Sequence, residues 1–402
     1  MIEFLIGLAI TFILLLLFSR IRLWIGVLAA ALTFGIINLS FNELIQAFHH
    51  TLTTLDNWFL VVAVGLIPVL GGIIRKSVLM DDVLDKLRGS KKLYLMIAPA
   101  LFGLIPIPGG ALLSCPLLKG FDDNISHSKS VAINIWFRHI FVIIYPLSSS
   151  LIIASQLAGL TITTAIISMF PFSLIIIVIG YFILLADVKE EKNIRVKKKN
   201  NSKDAKNIFY LALMLLSAPI LHIILVTTVL SGSERVSFLI SMLTAITIAF
   251  VVNKLSLRKF FKIFATSKVD QFSLLFLFLL VFINVIRSYE QLDTIFEGFT
   301  PPLVLVGFFA FILSFISGRI EVALSIVYPI MFAAYGSETI PPVLFAFIYF
   351  SLFAGYLVAP LHPCMAFSLE YFETKYYLVL KKLLPLLLIP LILISLLVFI
   401  LY

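Results

Sequence analysis

Charge is scarce in this chain. Only 13% of its 402 residues are Asp, Glu, Lys or Arg, and they are gathered into short clusters between long apolar runs. A soluble domain carries about 25%, so a water-solvated globule is excluded. The two cysteines, Cys115 and Cys364, both lie in apolar segments and give no disulfide framework. No Cys/His group has metal-motif spacing along the sequence. There is no GxxxxGK[ST] loop, hence no ATP-driven engine, no GxSxG nucleophile elbow, and no Asp-rich motif of a diphosphate-handling membrane transferase. No basic residue precedes the apolar run at 3–18, while Arg20 and Arg22 follow it. That order is the reverse of a cleavable signal peptide, so this run is expected to stay as a membrane helix.

What is present is apolar: 61% of the residues are hydrophobic. The runs are long enough to cross a bilayer core of about 30 Å at 1.5 Å per residue. Lipid offers no partner to bare peptide groups, so spanning elements must be helices or a closed barrel. Runs this long and uniform favour helices. Spans are expected at about 3–18, 22–38, 57–74, 130–157 and 161–186, then at 207–229, 236–252, 271–287, 341–369 and 377–401. Two elements differ. Residues 93–120 are interrupted by Ile105-Pro106-Ile107-Pro108-Gly109-Gly110, and 301–334 by Ser317-Gly318-Arg319. Proline and glycine at these points break a helix into arms too short to span, which predicts re-entrant hairpins.

The two sets match in order. Displaced by about 214 residues, 22–38 falls on 236–252, 57–74 on 271–288 and 161–186 on 375–400. Asp56 then meets Asp270, each read as a helix N-cap, and Pro146 meets Pro360. The expected fold is an all-α polytopic membrane protein of two inverted repeats, each of five transmembrane helices plus one re-entrant hairpin. The first repeat is 1–187, a basic cytoplasmic linker runs over 188–206, and the second repeat is 207–402. An odd number of crossings inserts the halves in opposite senses. The net charge of +9 resides in loops at 20–22, 75–92, 119–129, 189–206, 254–268 and 375–382. By the positive-inside rule these face the cytoplasm, which puts both termini on the other side of a cell membrane. The basic excess thus reports orientation, not nucleic-acid binding.

Polar chemistry should gather where helices break, since irregular backbone at membrane depth must line a cavity or be buried in protein. The breaks are the two hairpin tips, Tyr145–Ser150 in the fourth span and Ala359–Cys364 in the ninth. Around them lie Pro108, Gly109, Gly110 and Ser114 in hairpin one, Asn134, Arg138, His139, Ser148, Ser149 and Ser150 in the fourth span, and Ser317, Gly318, Arg319, Glu321 and Ser325 in hairpin two. In the ninth span His362 sits between Pro360 and Pro363. A charge at mid-bilayer costs about 2.5–3.5 kcal/mol on insertion scales. Arg138 or Arg319 would hold substrate charge, and Glu321 or His362 would carry a coupling proton. Competing readings are a membrane-side anchor for Arg138, a structural Arg319–Glu321 pair, and helix-contact roles for His139 and His222. Ser148–Ser150 have the alternative of bonding carbonyls one turn back.

With these features in view, the chain resembles the ion transporter superfamily, which includes dicarboxylate, gluconate and arsenite carriers. The segments Pro106-Ile107-Pro108-Gly109-Gly110-Ala111, Asn134-Ile135-Trp136-Phe137-Arg138-His139 and Ala359-Pro360-Leu361-His362-Pro363-Cys364 resemble most closely the ten-helix family named domain of unknown function 401 within it. The resemblance implies a transport domain of both hairpins with spans four, five, nine and ten, sliding against a scaffold of the other spans in a homodimer. It also implies coupling of an anion to Na⁺ or H⁺. The Ser-Asn-Thr hairpin signature of the carboxylate carriers is missing, so their Na⁺ sites do not carry over.

The expected function is therefore ion-coupled transport of a small anion by alternating access, with no resident cofactor, no enzymatic activity and no partners beyond the lipid bilayer, the anion and a second copy. A cation/proton antiporter is the runner-up. An intramembrane enzyme would need Ser114 or Cys364 paired with His362.

Overall fold

The computed structural model describes residues 2–77, 79, 90–104, 111–119, 125–189, 201–230, 232–289, 303–335 and 339–401. The tip at 105–110, with Pro108, Gly109 and Gly110, and most of the linker lie outside them. The described residues form helices and no strand. α1 (Ile2–Ser19), α2 (Leu23–Asn38), α3 (Phe41–Thr53) and α4 (Leu55–Arg75) open the chain. They are followed by α5 (Lys91–Gly103), α6 (Ala111–Lys119), α7 (His127–His139), α8 (Ser149–Leu157) and α9 (Ile162–Leu184). α10 (Asn201–Thr227) begins inside the expected linker, whose last residues are therefore helical, and α11 (Glu234–Val252), α12 (Leu257–Thr266) and α13 (Val269–Arg287) follow. The chain ends with α14 (Leu303–Ser317), α15 (Ile320–Tyr335), α16 (Pro342–Val358), α17 (Pro363–Tyr371) and α18 (Tyr376–Leu401).

Among the described residues, seven segments are long and apolar enough to cross a membrane: α4, α9, 206–227 of α10, α11, α13, the α16–α17 segment Pro342–Tyr371, and α18. Three further apolar helices, over Ile6–Ser19, Leu23–Asn38 and Leu303–Ser317, are shorter. The protein is an all-helical membrane protein. The expected fourth span is divided into α7 and α8, each too short to cross alone.

Two stretches read as loops are helical. At 39–56 the chain forms α3, started by a capping box in which Ser40 Oγ accepts from the Glu43 amide at 3.3 Å and Glu43 Oε2 accepts from the Ser40 amide at 2.7 Å. At 254–268 it forms α12, which buries Ile263 and exposes Leu257, Phe261 and Phe264 beside its basic residues. That distribution suits a helix lying in the membrane interface. Asp56 and Asp270 are not N-caps. Thr54 and Lys268 hold those positions, and the two aspartates sit in the first turns of α4 and α13, where the positive helix end favours them.

The closest packing falls into two groups. One joins α1 to α2, α2 and α3 to α13, α4 to α11, α12 and α13, and α10 to α11. The other joins α5 to α6 and α7, α7 to α9 and α18, α9 to α8, α16 and α18, α14 to α15 and α16, α15 to α8, and α17 to α6 and α7. α13 and α1 touch α15, and α13 touches α8, where the groups meet. The α16–α17 segment is central: 83% of its most apolar stretch is buried, against 28% for α9. In lipid such helices are held by close packing and hydrogen bonds rather than by a hydrophobic difference. Gly103 shows how close. A Cβ there would overlap the Arg138 carbonyl, so α5 and α7 meet backbone to backbone at the end of α7. Trp136 Nε1 donates to the Ile176 carbonyl at 2.9 Å and ties α7 to α9.

Candidate functional site

Helix α7 stops at His139 and α8 starts at Ser149, so the break begins earlier than the expected Tyr145. Pro146 lacks an amide proton and pushes Tyr145 out of helical geometry. The second break runs from Ala359 to His362, and Pro363 takes the first helical position of α17, where its missing amide costs nothing. Gly318, between α14 and α15, has φ +63° and lies against the backbone of Leu361 and His362. A Cβ there would sit 2.9 Å from the Leu361 carbonyl carbon. The turn between α14 and α15 therefore rests directly on the second break.

These pieces surround a cavity of about 190 Å³. Its walls include Arg138 and His139 from the end of α7, Tyr145 and Ser148–Ser150 from the first break, Ile320 and Glu321 from the start of α15, Tyr356 from α16 and Cys364 from α17. Gly103 and Leu104 close it from the end of α5. Arg138 is 4% exposed and its Nη1 has no hydrogen-bond partner. Ser149 Oγ donates to Glu321 Oε1 at 3.1 Å. Ser148 and Ser150 hydroxyls lie 3.0 Å apart, and Ser150 reaches the Tyr349 hydroxyl at 2.9 Å. The serines thus bond side chains across the cavity rather than carbonyls one turn back.

The first turns of three helices face this space: Ser149 and Ser150 of α8, Ile320 and Glu321 of α15, and Cys364 of α17. No side chain caps α8 or α17. Free amides and positive dipole ends at such termini attract an anion, each with about 0.3–1 kcal/mol and up to about 2 when partly buried.

Of the residues singled out in the sequence, Arg138, Ser148, Ser149 and Glu321 line the cavity. Ser114, Asn134, Gly318, Arg319 and His362 do not. Ser114 bonds back to the Ala111 carbonyl at 3.3 Å. Asn134, one turn before Arg138, points to a separate buried cluster: its Nδ2 donates to Ser368 Oγ at 3.0 Å and Cys115 Sγ at 3.3 Å, joining α7 to α17 and α6. Arg319 forms no pair with Glu321, which instead accepts from Ser149. His362 is fully buried behind the wall, with its ring 4.0 Å from that of Tyr356.

The sequence reading passed over Tyr356, and it named His139 and Cys364 beside the breaks without giving them a binding role. His139 was read as a helix contact, and only its place at the last turn of α7, next to a break, could have marked it. Linear spacing links no Cys/His cluster, but the fold assembles one among the described residues. His139, His362 and Cys364 come together with their ligating atoms within 4.8 Å of one another.

A comparison with curated proteins returns no match. The family model described as "Protein of unknown function (DUF401)" matches residues 3–401. The chain therefore belongs to the DUF401 family of proteins of unknown function.

Proposed function

We propose that the protein is an ion-coupled secondary carrier of a small anion, working by alternating access. The observation that carries this is one cavity, about 190 Å³ in volume, that combines a buried guanidinium whose Nη1 has no partner with three helix N-terminal turns. Arg138 supplies a fixed positive charge. The amides of α8, α15 and α17 and the hydroxyls of Ser148–Ser150 supply donors without charge. A volume of this size admits a small carboxylate or oxyanion and excludes a nucleotide. Glu321 is the one carboxylate among the lining residues, and its place opposite these donors suits it to carry a coupling proton.

The same reading gives the fold two inverted repeats with re-entrant elements at 93–120 and 301–334. The packing supports it, because contacts come in exchanged pairs. α2 meets α13 as α11 meets α4, α9 meets α16 as α18 meets α7, and α17 meets α6 as α8 meets α15. The cavity is lined mostly by the second packing group, with Ile67 of α4 and Phe272 of α13 from the first. Alternating access would move this group past the first, as in carriers of the ion transporter superfamily.

Counterflow in proteoliposomes tests the proposal. A panel of small carboxylates and oxyanions should yield one that exchanges against itself, with uptake abolished by Arg138→Ala and proton dependence removed by Glu321→Gln. Uptake that survives Arg138→Ala at the wild-type rate would overturn the assignment of charge.

A further inference from the structure

We propose that His139, His362 and Cys364 form a binding site for a thiophilic d¹⁰ metal ion, Zn(II) or Cu(I), set in the wall of the cavity with an open coordination position towards it. The inference stands on the ligand geometry and does not depend on the transport reading.

The three side chains come from opposite halves of the chain, His139 from the end of α7 and the other two from the second break. All are buried: 4%, 0% and 9% exposed, respectively. Their ligating atoms lie within 4.8 Å of one another. Metal bonds of about 2.0–2.3 Å place donors roughly 3.3–4 Å apart, so side-chain rotations of less than about an ångström close the set. The two imidazoles stand edge to face, with centroids 4.8 Å apart and planes at 70°. Such an arrangement lets two ring nitrogens converge, where flat stacking would separate them.

Two features point to a ligand rather than to packing alone. Neither nitrogen of His362 makes a well-formed hydrogen bond, the Leu357 backbone being the one polar partner near it, although the ring is wholly inside the protein. An unsatisfied buried polar group costs about 1–3 kcal/mol, which coordination would offset. His139, by contrast, is already oriented as metal-bound histidines are. Its Nδ1 lies 2.7 Å from the Ile135 carbonyl, which fixes the proton there and leaves the Nε2 lone pair free. Tyr356, ring to ring with His362 at 4.0 Å, and Pro360 and Pro363 on either side hold the second imidazole in place.

The donor chemistry selects the ion. Two nitrogens and a sulfur, with no carboxylate in the set, suit Zn(II) or Cu(I) and do not suit Mg²⁺ or Ca²⁺, which take oxygen ligands. Three protein ligands leave a position open, as in zinc sites that bind exchangeable ligands. That position faces the cavity, because His139 and Cys364 both line it.

Metal binding to the full-length protein in detergent tests this without any transport assay. After treatment with chelator, the protein is titrated with Co(II), a spectroscopic stand-in for Zn(II), and separately with Cu(I) against a competing chromophoric chelator. One ion per chain should survive desalting in at least one arm. In the Co(II) arm a thiolate-to-metal absorption band should appear in the wild type and vanish in Cys364→Ser. His362→Ala should weaken binding by about 10–100-fold. Tight Cu(I) without Co(II) or Zn(II) binding identifies the ion as Cu(I). Should a variant fail to fold, peptide mapping of the wild type serves instead: bound metal should slow alkylation of Cys364 and leave that of Cys115 unchanged. Less than one ion per chain in both arms, equal binding by wild type and folded variants, or alkylation of Cys364 indifferent to metal would overturn the proposal.

Discussion

Two helices of this protein break in the middle, and they break differently. Between α7 and α8 the chain runs irregularly from Ile140 to Ser148, with one proline, Pro146, and a serine run that turns its hydroxyls to the cavity. Between α16 and α17 the gap is only Ala359 to His362, flanked by Pro360 and Pro363, and its imidazole is sealed from solvent. The longer break has room to present donors and stays partly open. The shorter one is clamped by prolines and by the Gly318 turn lying on its backbone, and it presents a thiol and a buried ring instead. The two breaks therefore present unlike groups. The first half brings a fixed charge, hydroxyls and one imidazole, the second a carboxylate, a thiol and the other imidazole.

If that division holds, the largest effect belongs to Arg138. Arg138→Ala should reduce anion uptake in proteoliposomes by at least 100-fold, while a thermal melt of the purified protein moves far less, since its Nη1 bonds no protein group. Loss of a charge that meets a bound anion corresponds to about 3 kcal/mol or more. Arg319→Ala, on the other side of the comparison, should leave uptake within about twofold. Equal losses from both would erase the distinction between the two halves.

A packing variant comes next. Gly103→Val forces a branched side chain into the Arg138 carbonyl. Overpacking of this kind costs about 1–3 kcal/mol, and here the neighbour is backbone, which cannot rotate away. The melting temperature should fall by several degrees, and Arg138 should be displaced with it. Gly232→Ala meets no neighbouring atom but is strained at its φ of +89°, so it should cost some stability while leaving Arg138 in place.

The polar clusters separate more finely. Ser149→Ala removes the donor to Glu321 and should lower uptake by roughly 3–10-fold, the worth of a hydrogen bond of about 0.5–1.5 kcal/mol. Ser368→Ala removes an acceptor from Asn134, away from the cavity. It should cost a similar amount of stability and leave the affinity for the anion unchanged. A loss of anion affinity in Ser368→Ala would extend the site to the Asn134 cluster.

Much of this was readable from composition and spacing, and the reasons differ by region. Long apolar runs announce helices because lipid forces every peptide group to bond within its own segment. Proline pairs at 360 and 363 announced a break for the same reason. Capping chemistry at Ser40-x-x-Glu43 was present in the sequence as well, but a short amphipathic helix on the membrane surface resembles a loop when hydropathy alone is followed. The site was less accessible. Arg138 was found because a charge in an apolar run is conspicuous. His362 and Cys364, two residues apart, were paired from the sequence, but His139 lies in another helix and no linear spacing links it to them. Asn134 and Arg138, one turn apart, belong to one helix face by spacing, yet Arg138 lines the cavity while Asn134 meets Ser368 and Cys115. Several prolines, including Pro68, Pro99 and Pro171, sit inside intact helices. Proline alone therefore did not decide where helices end.

The smallest expected effect lies at the surface, away from both breaks. Lys129, at the start of α7, bonds Asp187 just beyond α9, and this hydrogen bond holds the Asp187 carboxyl below its usual range. A carboxyl with a lowered folded-state pKa adds stability at pH values above its unfolded pKa and loses it as pH falls through the folded one. Asp187 is 75% exposed, so screening leaves at most about 1 kcal/mol. Asp187→Asn should therefore lower the melting temperature by no more than a degree or two at neutral pH, and the gap from wild type should close in acid and in high salt. A gap that persists in acid would mean that the pair does more than join two exposed ends, and that the region near the start of α7 holds the first break in place from a distance.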